Sequence, residues 1–165
     1  MVRFVRKPKA INGVFAAPKS EGRQRLVMDG RPANAVFAAS PKVDLPTPDL
    51  LAGLSVDASR DFFVAKVDLD NFYHRIKVPA WMTPYFALPA VRAEDVGQQH
   101  VFGIGARIYP CCTTLPMGWS HSAYLAQAVH EHLIDTQTNL RSSDRITRAS
   151  DLRSIGSDTR SISMI

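Results

Sequence analysis

The chain has only two cysteines in 165 residues, and they are neighbours, Cys111 and Cys112. Adjacent cysteines cannot staple distant segments together, so a disulfide framework is excluded and a reducing compartment is expected. Long apolar runs are also lacking. None approaches the roughly 20 residues that cross a bilayer, so no membrane partner is expected. The opening residues Met1-Val2-Arg3-Phe4-Val5-Arg6-Lys7 carry charge with no apolar stretch behind them. That excludes a secretory signal and points to the cytoplasm or nucleus. There is no internal repeat. Acidic residues are scarce at the front: residues 1–31 hold eight Lys or Arg against two acids, a net +6.

What is present is an ordinary globular composition, 45% hydrophobic and 21% charged, on a length sufficient for one domain with a core. Residues 32–140 carry seven cations against ten acids, and residues 141–165 five against three. A basic front on a mildly acidic middle favours a polyphosphate partner, although a charge run alone more often gives a solvated surface.

The most informative stretch is Val64-Ala65-Lys66-Val67-Asp68-Leu69-Asp70-Asn71-Phe72-Tyr73-His74-Arg75-Ile76. A β-branched apolar run leads into Asp68, and two aromatics follow. This pattern predicts a buried strand over 62–67 that delivers a carboxylate at its end, with a turn or short helix over 71–77. A carboxylate so held suits a divalent cation, and it equally suits an ordinary strand end.

Around this centre the chain reads as alternating short elements. Residues 1–12 are basic with little pattern, an incomplete beginning or a mobile arm. Gly13 to Lys19, Ser20-Glu21-Gly22 and Gln24 to Asp29 predict a β-hairpin that presents Lys19, Arg23 and Arg25 near its tip. A hairpin fixes its cations in place, and arginine grips phosphate oxygens in pairs. Pro32 suits the first turn of a short helix, and Thr47 to Gly53 another. A short strand is expected over Pro84–Pro89, a polar hairpin loop over 93–99, and a glycine-bent strand over His100–Tyr109. After Pro116-Met117-Gly118 a helix is expected to start at Ser120 or His121, with Ser120 as its cap, and to end near Ile134. Leu125, Val129 and Leu133 would form its buried stripe. The Ser- and Arg-rich residues 141–165 read as a weakly folding tail.

Three stretches in one order resemble the reverse transcriptases of retroelements, across roughly residues 13–134. They are Val14–Lys19 through Arg25–Asn34, Val67–Ile76, and Leu115–Ser122, with Tyr85-Phe86-Ala87-Leu88-Pro89 between the last two. The resemblance implies an α+β fold: fingers and partial palm of a right-hand polymerase, an antiparallel palm sheet packed on helices, incomplete. It implies RNA-directed DNA synthesis, with an RNA template, a DNA primer and deoxynucleotide triphosphates as partners and two Mg²⁺ ions as cofactors. Asp68 would be the first metal-binding aspartate, and Leu69 would offer its backbone carbonyl to the same ion. Tyr73, or Phe72 one residue out of register, would pack under the sugar. Lys19 and Arg25 would hold the triphosphate. Met117 and Gly118 would line the nucleotide and template pocket. Arg23 and Arg31 would add contacts to nucleic acid. Phosphoryl transfer needs in-line positioning and two ions about 3.5–4 Å apart, with oxygen ligands.

One part of the pattern is missing. After the helix the family carries an aromatic, a variable residue and two aspartates, whereas the acids here, Asp135, Asp144, Asp151 and Asp158, stand singly. The tail over 135–165 is expected to be a truncated or frame-shifted end, or the product of a misplaced gene boundary, with no thumb. Asp70 lies two residues from Asp68, about 6.5 Å along a strand, but that position is variable in the family. The 165-residue chain is therefore expected to be inactive alone.

Other constellations are weaker. Cys111, Cys112, His121, His130 and His132 lack zinc spacing. Ser120-His121-Ser122 cannot bring nucleophile and base together on one helix. Gly103-Ile104-Gly105 lacks the third glycine of a dinucleotide site. Three rival readings remain: a non-enzymatic nucleic-acid-binding remnant, an RNA-dependent RNA polymerase palm, and an unrelated basic structural protein. An aromatic at Tyr73 argues against the second, because RNA synthesis needs room for a 2′-hydroxyl.

Overall fold

The structure is a computed structural model that describes residues 2–18, 20–43 and 68–140. The strand expected over 62–67, the capped helix over 47–53 and the tail over 141–165 lie outside the described residues. The chain divides into two units, Met1–Pro41 with Asp70–Ser122, and Lys42–Leu69 with Ala123–Ile165.

In the first unit the front of the chain is structured from its second residue. β1 (Val2–Val5) pairs antiparallel with a later strand, where a patternless arm was expected. Four residues are too few for alternation to stand out, and the flanking cations mask it further. β2 (Gly13–Pro18) and β3 (Gln24–Asp29) form the expected hairpin, with Gly13 opposite Asp29 and Pro18 opposite Gln24. Its tip, Ser20–Gly22, places Glu21 (φ 62°) and Gly22 (φ 70°) in the left-handed region. α1 (Arg31–Asn34) follows with its proline in the first turn, where a missing N–H costs nothing. α2 (Phe72–Arg75) is the short helix expected after the acidic turn, entered through Asn71 at φ 51°.

Two expectations fail for local reasons, and a third is refined. Pro84–Pro89 is no strand: Thr83–Phe86 forms a 3₁₀ turn, with Pro84 in its first turn. Only Ala87 makes bridges, to Ile11 and Cys111. The polar loop over 93–99 contains a 3₁₀ turn, Glu94–Val96. The strand expected over His100–Tyr109 is displaced. Gln99–Phe102 is helical (α3), and Gly103 and Gly105, at φ 92° and 76°, break the chain before β5 (Arg107–Cys112) begins.

β5 is the centre of a three-stranded antiparallel sheet, between β1 and β4 (Val91–Arg92). Pro110 sits in this central strand, where a proline is ordinarily excluded. Its carbonyl accepts from Leu88 N at 2.8 Å, so its missing N–H faces that same side, and the ladder to β1 loses nothing. The core gathers against this sheet: Phe86, Ala87, Ala93, Ile108, Cys111 and Leu115 are all buried. Phe37 joins Tyr85, Phe86 and Trp119, with ring centroids at 5.1, 6.2 and 5.1 Å.

Asn12 is the polar centre of this unit. It is 1% exposed, and both polar groups of its side chain are used. Its Nδ2 donates to the carbonyls of Tyr85 and Ala87, each at 3.0 Å, and its Oδ1 accepts from Ala33 N at 3.1 Å. One side chain thus ties the segment before β2 to α1 and to the 3₁₀ turn.

The second unit contains most of α4 (Ser122–Gln137), which starts after and ends beyond the range expected. Leu125 and Val129 are half-buried and Leu133 is 40% exposed, so the stripe expected to be buried is only partly so. No helix among the described residues is long and apolar enough to cross a membrane.

Burial pushes the Cys111 thiol up from 9.0 to about 11, reinforced by Cys112 and opposed by the charge of Arg3. Burial raises Cys112 as well. The protonated thiol is favoured in the fold, so its contribution is intact below pH 9 and is lost between pH 9 and about 11. Urea midpoints over this window should fall more steeply for the native chain than for Cys111→Ala. Parallel curves would show that Cys111 is not the group responsible.

Candidate functional site

Within the first unit the first stretch of the resemblance meets the third at the Pro116-Met117-Gly118 loop, and residues 70–76 of the second meet it at Leu115. β3 ends at Asp29, and Gly30 then runs directly against this loop. A Cβ on Gly30 would lie 2.3 Å from Gly118 O. A Cβ on Gly118, at φ 109°, would lie 2.4 Å from Met28 O. Only two glycines allow this backbone-to-backbone approach. Asn34, at the end of α1, bridges the same loop: its Nδ2 donates to Gly118 O at 3.2 Å, and its Oδ1 accepts from Ser120 N at 2.8 Å. Ser120 N therefore belongs to Asn34. Ser120 Oγ lies 3.2 Å from His121 Nδ1, so these two side chains, expected to face apart on a helix, meet in the turn before α4. Ser122 Oγ donates back to Pro116 O at 2.6 Å, so it is Ser122 that fixes the loop to the start of α4.

The second stretch joins from the other side. After α2, Ile76 O accepts from Leu115 N at 2.8 Å, and Val78 N donates to Thr113 O at 3.0 Å. Lys77 bridges Thr114. The residues leading into the Pro-Met-Gly loop are thus held by the residues leaving the Phe72-Tyr73 turn.

The candidate residues fall in different surroundings. Met117 and Gly118 are exposed in the loop, and Phe72 and Tyr73 are half-buried on α2. Arg31 is 88% exposed but forked onto Asp29, with Nε at 2.9 and 3.0 Å from the two carboxylate oxygens. The Arg31 guanidinium holds the Asp29 carboxyl below its usual range, and Arg31 is raised in turn. Arg23 is ion-paired with Glu21 at the hairpin tip. The backbone of Arg25 pairs with Ala17, and Lys19 lies outside the described residues. Asp68 and Leu69 are exposed and fall in the other unit.

Asp70 is exposed, and its carboxylate has partners close in sequence. Asn71 Nδ2 donates to its Oδ1 at 2.9 Å, Arg75 stands 3.5 Å from its Oδ2, and Arg75 Nε donates to its backbone carbonyl at 2.9 Å. Among the described residues no group of three or more His, Cys, Asp or Glu side chains is placed to hold a metal ion. The described residues therefore do not fit the magnesium pair that the resemblance implies, since Asp68 and Asp70 alone supply too few oxygens for two ions.

Among solved structures, the chain is similar to a foamy viral protease–reverse transcriptase in complex with double-stranded DNA. The TM-score is 0.56 over 81% of this chain, at 16% identity. The fold is distantly reverse-transcriptase-like. The chain spans 20% of that neighbour's length. No protein-family model matches the sequence, and no curated protein matches it.

Sequence reasoning missed Asn12, Asn34 and Gly30 as determinants of this junction. Asn34 and Gly30 stood inside a motif stretch, but nothing in their spacing said that they would contact a loop some 84 positions away. Asn12 carried no local signal at all.

Proposed function

We propose that this chain is the fingers and first half of the palm of a reverse-transcriptase-like polymerase, a portion that grips nucleic acid but does not incorporate nucleotides alone. The observation that carries the reading is that the third stretch touches the other two: Gly118 lies against Gly30 and Met28 and is held by Asn34, and Leu115 N donates to Ile76 O. Accidental matches would have no reason to touch. The reverse-transcriptase-like fold supports the reading, and so does the neighbour's complex with double-stranded DNA.

In this reading Met117 and Gly118 line the template and nucleotide pocket, and Tyr73 or Phe72 stacks beneath the sugar. Lys19 and Arg25 reach the triphosphate from the hairpin. Asp68, with the Leu69 carbonyl, keeps the family's first metal position. Its partners would have to come from an aspartate pair that the sequence does not contain. Two-ion phosphoryl transfer without those ligands loses the charge neutralisation that makes the reaction fast.

Primer extension by the purified chain on a poly-ribonucleotide template with Mg²⁺ should stay at background. Filter retention of an RNA–DNA hybrid should be measurable at low salt and fall as salt rises. Incorporation above background would overturn the predicted inactivity, and no retention at low salt would overturn the nucleic-acid role.

A further inference from the structure

The ion pairs of the first unit leave most of the unpaired cations among its described side chains in one short segment. Met1–Pro41 and Asp70–Ser122 hold twelve Lys or Arg against five acids, a net +7. All five acids are taken by arginines close in sequence. Glu21 pairs with Arg23, Asp29 with Arg31, Asp70 with Arg75, and Glu94 and Asp95 with Arg92. The cations without an acid among the described residues are Arg3, Arg6, Lys7, Lys9, Lys77 and Arg107. Four of these six fall within residues 3–9.

That segment is anchored without being neutralised. Arg6 donates to Phe102 O at 2.7 Å and stands 5.7 Å from the centre of the Phe102 ring. Lys9 Nζ lies 4.8 Å from the Tyr85 ring centre and 3.2 Å from its hydroxyl. Lys9 N and Ala10 N both donate to Pro84 O. Carbonyls and ring faces orient a cation and leave its charge intact. β1 lies at the edge of its sheet, so this row borders solvent. From Arg3 to Lys9 the chain can extend at most about 20 Å, the length of about six base pairs.

We infer that residues 3–9 form a phosphate-backbone track for nucleic acid, distinct from the hairpin and the Gly118 loop. Arg3 and Lys7 are its exposed contacts, and Arg6 and Lys9 are its fixed ones. The hairpin arginine Arg23 and its neighbour Arg31 contribute less, because each already faces a carboxylate. The choice of nucleic acid among polyanions rests on the reading proposed above.

The test is binding of an RNA–DNA hybrid to the native chain, to Arg3→Gln/Lys7→Gln, and to Arg23→Gln. Arg3 and Lys7 make no side-chain hydrogen bond or ion pair among the described residues, so the double variant should keep its fold, checked by circular dichroism. The double variant should bind about tenfold more weakly near 0.1 M salt, and its salt slope should be shallower by about 1.5. Arg23→Gln should change the slope by much less than one contact. Unchanged binding by the double variant, with full binding by the native chain, overturns this track alone. No binding by the native chain overturns the proposed function and the track together. Native binding to vesicles of anionic lipid with none to the hybrid assigns the cations to a membrane and also overturns it.

Discussion

Alanine at Gly118 should destabilise the first unit by about 3–5 kcal/mol, a large share of the roughly 5–15 that holds a domain of ordinary stability. Two separate effects add. The backbone at φ 109° is one that residues with a Cβ rarely adopt, costing about 1–3 kcal/mol. The new methyl would also meet Met28 O at 2.4 Å, and forcing an extra carbon into a closed contact costs about 1–3 kcal/mol more. A carbonyl oxygen in the backbone of β3 cannot rotate away as a side chain can. Gly30→Ala should cost less, because Gly30 has an ordinary φ of −77° and suffers only the clash, with Gly118 O at 2.3 Å. Gly97→Ala is the control: its φ is 68° and nothing lies within 4 Å of the added carbon, so only about 1 kcal/mol is expected. The double variant Gly30→Ala/Gly118→Ala should cost less than the sum of the singles, since the first methyl has already pushed the two backbones apart. Urea midpoints give all four values. Equal losses for Gly118→Ala and Gly97→Ala would show that the close approach does not exist.

How much of this was legible in the sequence depends on where the cause lies. The hairpin could be read because its determinants are local: the apolar runs Val14-Phe15-Ala16-Ala17 and Leu26-Val27-Met28 stand on either side of the turn residues Ser20-Glu21-Gly22. The short helix at Phe72–Arg75 was readable for the same reason. The strand at Arg107–Cys112 starts later than the sequence predicts, because Gly103 and Gly105 follow a helical turn and do not bend a strand. Pro110 disguised the strand further, since a proline argues against a central position unless its neighbours are known. The family resemblance supplied which stretches matter. It did not supply the contacts between them, because Gly30, Asn34 and Gly118 act through tertiary proximity and not through period or propensity. The charges show the same division. The basic front was plain from composition, but which cations remain unneutralised depends on pairings such as Arg31 with Asp29, visible only in three dimensions.

The second large effect belongs to Asn12, and its two variants should separate hydrogen bonding from charge. Asn12→Ala removes both bonds to the carbonyls of Tyr85 and Ala87 and strips Ala33 N of its acceptor. Ala33 is buried, so its N–H is left without water or partner, and such an orphan costs about 1–3 kcal/mol. With the vacated space included, a loss of about 3–5 kcal/mol is expected, independent of pH. Asn12→Asp keeps the shape and the acceptor for Ala33 N, but it aims a carboxylate oxygen at two carbonyls. The ionised form is then doubly disfavoured, by burial and by the two facing dipoles, so the folded-state affinity for a proton rises. A raised folded pKa gives stability that is present at low pH and lost as pH rises. Asn12→Asp should therefore approach the native chain near pH 4, where its acid can donate to one carbonyl, and fall below Asn12→Ala by pH 7. Urea midpoints at both pH values decide the point. If Asn12→Asp tracks Asn12→Ala at every pH, the side chain at position 12 is not held between those two carbonyls.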